Sequence, residues 1–103
     1  ARSLERAAPA PGAGALTAAA DLGDLDGLRR ALDAGVPVNA EDAFGRTALV
    51  SAPRAGRLEA VRLLLARGAD PARADRSGTT PLQAAHARGD AAIADALLAA
   101  GAR

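Results

Sequence analysis

Asp42-Ala-Phe-Gly-Arg-Thr-Ala-Leu49 and Asp75-Arg-Ser-Gly-Thr-Thr-Pro-Leu82 lie 33 residues apart and share one arrangement. Each has an Asp, then Gly45 or Gly78, then Thr47 or Thr80, then Leu49 or Leu82. Glycine three residues after Asp marks a tight polar turn whose tip takes a positive φ. The Thr that follows stands where a hydroxyl can cap a helix, and Pro81 directly after Thr80 occupies a first helical position, where a missing N–H costs nothing. Both stretches therefore read as a turn tip running into a helix start.

The same offset extends the match in both directions. Forward, Ala52, Gly56, Leu64, Leu65, Gly68 and Ala69 fall on Ala85, Gly89, Leu97, Leu98, Gly101 and Ala102. Backward, Gly12, Leu16, Ala19, Gly23, Leu25, Leu32 and Gly35 fall on Gly45, Leu49, Ala52, Gly56, Leu58, Leu65 and Gly68, and Leu28 falls on Val61. A fixed period of this length is the signature of a helical repeat array. The units run over about 9–41, 42–74 and 75–103.

Within a unit, a short first helix ends at Gly56 or Gly89 and turns Leu49 and Ala52, or Leu82 and Ala85, inward. The small Ala lets a second helix approach closely. That second helix carries Leu58, Val61, Leu64 and Leu65 on one face in the middle unit, and Gly68 closes it.

These stretches resemble the ankyrin repeat, as do the endings Leu63-Leu-Leu-Ala-Arg-Gly-Ala-Asp70 and Leu97-Leu-Ala-Ala-Gly-Ala102. The resemblance covers about residues 12–103 and implies an all-α solenoid of three helix-turn-helix repeats with short β-turn fingers. It also implies a protein-binding module rather than an enzyme, because members of that family bind proteins along the concave side made by turn tips and first helices. Three departures from the family pattern carry expectations of their own. The usual His after Thr-Pro-Leu is Val50 in the middle unit and Gln83 in the last, which removes its local hydrogen bonding. Pro53 falls inside a first helix, deletes a donor toward Leu49 at a cost of up to about 3 kcal/mol, and predicts a kink or an early helix end. The first unit replaces the turn with Pro9, Pro11, Gly12 and Gly14, so it reads as an N-terminal cap without a formed finger, and Gly12-Ala-Gly-Ala15 reads as linker.

Residues 1–11 read as an N-terminal extension; of these, 1–8 either form one helical turn or stay mobile, and mobility is the expectation. At the other end Ala91, Ala92, Asp95, Ala96 and Ala99 suit a terminal cap. The alternative is a slice of a longer array.

Composition is consistent with this reading. In 103 residues, 50% are hydrophobic and 24% charged, with one Phe and no Trp, Tyr, Met or Cys. That fits one domain whose core is Leu, Val, Ile and close-packed Ala. The formal net charge is +1, too small for a large basic field. All basic residues are Arg, a bias typical of GC-rich, bacterial coding. Absence of Cys removes disulfides and thiolate chemistry. No apolar run reaches the roughly 18 to 20 residues that span a bilayer, so no membrane role is expected. The expected compartment is the cytoplasm, with the periplasm open if a leader was removed ahead of Ala1.

A search for chemistry returns little. His86 is alone, and nucleophilic or metal catalysis needs further partners. Asp21, Asp24 and Asp26 lack the spacing of a calcium loop, and Asp24 and Asp26 suit the first turn of a helix. Gly12-Ala-Gly-Ala15 lacks the Lys of a phosphate loop. Arginines without interleaved aromatics give no nucleic-acid signature. No enzyme activity, metal or cofactor is expected.

By the resemblance, the variable surface positions are Ala43, Phe44 and Arg46; Arg76, Ser77 and Thr79; and, on first helices, Asp21 and Leu22, Arg54 and Ala55, Ala87 and Arg88. Phe44 leads as candidate anchor, because aromatic and Arg side chains dominate binding hot spots. The alternative has Phe44 folded onto its own turn. The protein-binding set is Phe44, Arg46, Arg54, Arg76, Ser77, Thr79, Arg88 and Asp21, with an acidic folded partner favoured by the four arginines. Asp21, Asp42 and Asp75 nearby leave a merely solvated face open. A monomer is expected; the runner-up is a self-associating repeat whose exposed Ala faces stack on another copy.

Overall fold

The computed structural model describes residues 12–102, which form six helices: α1 (Ala13–Leu22), α2 (Leu25–Asp33), α3 (Ala48–Ala55), α4 (Leu58–Ala66), α5 (Pro81–Arg88) and α6 (Ala91–Ala99). They pair as α1·α2, α3·α4 and α5·α6. The first helices stack on one another in one layer (α1·α3, α3·α5), and the second helices stack in another (α2·α4, α4·α6). The chain is thus an all-α repeat stack with no strand among the described residues.

The packing follows from side-chain size. Ala19, Ala20, Ala48, Ala52 and Ala85 are buried in the first-helix layer, so those backbones approach closely. Leu28, Val61, Leu64, Ile93 and Leu97 of the second helices fill the space behind them. Leu58 and Leu65 complete the α4 stripe only at its half-buried edge. Each first helix ends on a left-handed glycine, at Gly23, Gly56 and Gly89.

Three local expectations are corrected. Thr80 does cap α5, accepting from the Gln83 amide while the Gln83 side chain accepts from the Thr80 amide, a reciprocal box. Thr47 does not cap α3. The residue three positions on is Val50, which has nothing to return, and the Thr47 hydroxyl is buried without a partner. Pro53 does not end α3 early: the helix runs unbroken to Ala55 and is 8 residues long, like α5. Pro53 stands in the last turn and is fully buried, so the deleted bond toward Leu49 is one late bond in a helix held by neighbours on both sides. Ala13, Gly14 and Ala15 are not linker but the opening turn of α1, with Gly12 as its N-cap. The expectations for residues 1–11 lie outside the described residues.

Candidate functional site

The two fingers are built around one buried carboxylate each. At the first, Asp42 is only 2% exposed. One of its oxygens accepts from the Phe44 and Arg46 amides at 2.9 Å each. The other accepts from Arg46 Nε at 2.9 Å and from the Thr17 hydroxyl of α1 at 3.0 Å. The backbone closes the same loop, the Asp42 amide donating to the Arg46 carbonyl and the Gly45 amide to the Asp42 carbonyl. Burial pushes the Asp42 carboxyl up, but the bonds from Arg46, Thr17 and Phe44 outweigh it, and its pKa is lowered below the ordinary 3.8.

Asp75 repeats the device with different partners. Its Oδ1 accepts from the Ser77 hydroxyl at 2.6 Å and from the Ser77 and Thr79 amides. Arg54, one unit back, stands 3.5 Å from Oδ2. Burial again opposes ionisation, and the Ser77 and Thr79 bonds with the Arg54 charge lower the pKa on balance. Val50 stands where Thr17 does in the first unit, so a hydroxyl is replaced by an Arg one turn further along the same helix. The fingers are joined by the Arg76 amide donating to the Gly45 carbonyl at 2.9 Å, with the Arg76 side chain packed over Gly45.

On this frame Phe44 is 75% exposed. Its ring touches the guanidinium of Arg46, whose Cζ lies 5.0 Å from the ring centroid. Phe44 therefore stands out from the turn, with its backbone pinned by Asp42 and one face covered by a cation. The other expected site residues divide by what they already hold. Ser77 and Thr79 are spent on Asp75. Arg46 pairs with Asp42, Arg54 with Asp75 and Arg76 with Glu41 at 3.5 Å. Arg88 reaches the Arg54 carbonyl at 3.4 Å and has no carboxylate partner among the described residues. The exposed Asp21 offers its carbonyl to Arg57 Nε at 3.0 Å. Phe44, Arg46 and Arg76 thus share the joined fingers, Arg54 reaches Asp75 from the last turn of α3, and Arg88 and Asp21 also lie at the far ends of first helices.

Sequence reasoning missed Thr17, Glu41, Arg57 and Arg73, which link successive units through Asp42, the pair Arg73 and Arg76, and Asp21. The 33-residue offset gave no signal for them, since it sets Thr17 on Val50, Glu41 on Ala74, Arg73 on Ala40 and Arg57 on Asp24 and Asp90.

Charges lie on both layers. Fingers and first helices, with their flanks, carry Arg46, Arg54, Arg73, Arg76 and Arg88 against Asp21, Glu41, Asp42 and Asp75. Second helices, their N-caps and the loops after them carry Arg29, Arg30, Arg57, Arg62 and Arg67 against Asp24, Asp26, Asp33, Glu59, Asp70, Asp90 and Asp95. Neither side carries a large net charge, and the second-helix side is the more acidic.

His86 is exposed, and no group of three or more His, Cys, Asp or Glu among the described residues is arranged to hold a metal. No helix among them is long and apolar enough to cross a membrane.

The family model for ankyrin repeats, in three copies, matches residues 16–103. A solved ankyrin repeat domain from Acinetobacter baumannii AYE is 42% identical, with a TM-score of 0.78 over 85% of this chain and 47% of that one. The chain thus spans about half the length of that relative. No curated protein matches the chain.

Proposed function

The chain belongs to the ankyrin repeat family, whose members are generally protein-interaction modules, and on that premise we propose that it binds a folded, acidic protein through its fingers and first helices. The observation that carries this reading is Phe44, an exposed aromatic in a turn whose Phe44 and Arg46 amides both donate to one buried carboxylate, which the Arg46 and Thr17 side chains hold in turn. Such an anchor is ordered before contact, so little conformational entropy is lost on binding. The arginines on the finger side, Arg88 above all, favour an acidic surface. Because Arg46, Arg54 and Arg76 already hold carboxylates, they act chiefly as a positioned field, and Arg88 is the arginine freest to pair directly. The binding serves to inhibit or to localise the partner; no catalytic step is assigned to the chain.

The test is a pull-down from a lysate of the cells that encode the protein, with the parent chain and a Phe44→Ala/Arg46→Ala/Arg54→Ala variant side by side and bound proteins identified by mass spectrometry. A partner retained by the parent and lost by the variant supports the face. The same partner retained by both sinks it.

A further inference from the structure

The two fingers meet one demand with different residues. Each buried carboxylate takes two backbone amides of its own turn and one hydroxyl. Asp75 finds its hydroxyl inside its own finger, in Ser77. The residue 33 positions before Ser77 is Phe44, which has none to give. Asp42 takes its hydroxyl instead from Thr17, in α1 of the preceding unit, at 3.0 Å.

Thr17 is 2% exposed, and its hydroxyl also lies 3.2 Å from the Ala13 carbonyl and 3.1 Å from that of Gly14. A hydroxyl has one proton to donate, and an ionised carboxylate is a stronger acceptor than a helix carbonyl. The proton therefore goes to Asp42. It lands on Oδ2, the oxygen that also accepts from Arg46 Nε at 2.9 Å. Arg46 is thus held through Nε, with its Cζ 5.0 Å from the centroid of the Phe44 ring. The Arg46 side chain is half-exposed and Phe44 more so, and packing does little to hold either. Without the Thr17 hydroxyl, Oδ2 would be left short of a donor in a place that water does not reach. A second N–H of Arg46 is the donor at hand. Taking it draws the guanidinium into a two-pronged hold on the carboxylate and off the ring.

We propose that Thr17 is a positioning residue of the partner face: from the preceding unit, its hydroxyl sets the Asp42 carboxylate so that Arg46 is held over Phe44. Thr17 thereby shapes the binding surface without touching the partner. The functional weight of this rests on Phe44 being the anchor of that face, while the arrangement itself is tested without a partner.

Phe44 is the chain's only Phe, so incorporated para-fluorophenylalanine gives one fluorine NMR signal, from that ring. The signal is compared in the parent, Arg46→Ala, Thr17→Val, Thr17→Ser and the double variant Thr17→Val/Arg46→Ala, with far-UV circular dichroism checking each fold. Val50 is fully buried at the equivalent place in α3, so Thr17→Val suits the stack; Thr17→Ala is the second route should that chain not fold. Thr17→Val is expected to move the signal toward its position in Arg46→Ala. Thr17→Ser should leave it where the parent has it, and the double variant should match Arg46→Ala. A mere loss of stability would lower a melting midpoint without moving the signal of the folded chain. A Thr17→Val signal at the parent position overturns the proposal, as does a Thr17→Ser signal displaced like that of Thr17→Val. So does a double variant displaced from Arg46→Ala, or a signal that Arg46→Ala itself does not move. These outcomes bear on Thr17 alone, and the pull-down bears on the face alone, so either can fail without the other.

Discussion

Asp42 and Phe44 show how one residue sets what its neighbour can do. The carboxylate of Asp42 is buried, so each of its bonds to Thr17, Phe44 and Arg46 replaces water it has lost, and the turn cannot relax without leaving a charge unpaired. Asp42→Asn should therefore destabilise the chain by about 1–3 kcal/mol in urea unfolding, because a charge-assisted acceptor becomes a neutral amide that presents a donor to Arg46 or Thr17. Phe44→Ala should leave that unfolding midpoint unchanged, since the ring covers no core. The two carboxylates also give the fold an acid limit. Asp42 and Asp75 have folded pKa values below 3.8, so they favour the folded state at any pH above the unfolded value. That contribution is lost as pH falls through the lowered folded values, because the unfolded chain takes up protons first. Stability followed by thermal melts should decline below about pH 4, and Asp42→Asn should make that decline shallower. An unchanged acid slope in the variant would remove Asp42 from the account.

At the scale of the helix, the two fingers lead into starts that differ in one exchange. Thr80 finds Gln83 and caps; Thr47 finds Val50 and does not. Thr80→Ala should cost about 1 kcal/mol. Thr47→Val, which removes a buried hydroxyl with no partner, should be neutral or slightly stabilising in the same chemical denaturation. Equal losses in the two variants would show that Thr47 caps after all. These starts also mark how far sequence could be read. The positions of the turns, the helix ends at Gly56 and Gly89, and the buried stripe at Val61 and Leu64 follow from spacing within one unit, and the structure has them there. Thr47 was misread because a capping residue is only half of a cap. The early helix end expected at Pro53 did not occur, because what holds α3 through that residue is its packing on α1 and α5, which the local sequence does not show. The exposed Phe44 was legible as a finger residue, but the pairing of Arg46, Arg54 and Arg76 with Asp42, Asp75 and Glu41 was not. Two of those three pairs join different units, and their register exists only once the repeats are stacked.

For the molecule as a whole, stability is shared along a line of units, each contacting its neighbours. Leu64 is fully buried, in the middle unit, and part of the single core cluster that runs from Leu16 to Ala102. Leu64→Ala should cost about 2–5 kcal/mol and lower the midpoint of one cooperative transition, because neither outer unit keeps a complete core without the middle one. A variant with two separated transitions would mean that the units fold independently. The same linear design bears on the proposed face. Arg46 is held by Asp42 of its own unit, but Arg54 and Arg76 are held by carboxylates of other units, so those two are placed only in the assembled stack.

The central claim is that this face, anchored by Phe44, holds a protein partner. The measurement that meets it most directly is a calorimetric titration of the captured partner against the parent, Phe44→Ala and, as a control on the second-helix side, Arg62→Ala. Phe44→Ala should weaken binding by about 1 kcal/mol or more, roughly fivefold or greater in Kd, while Arg62→Ala binds like the parent. Equal Kd values for the parent and Phe44→Ala would contradict the account.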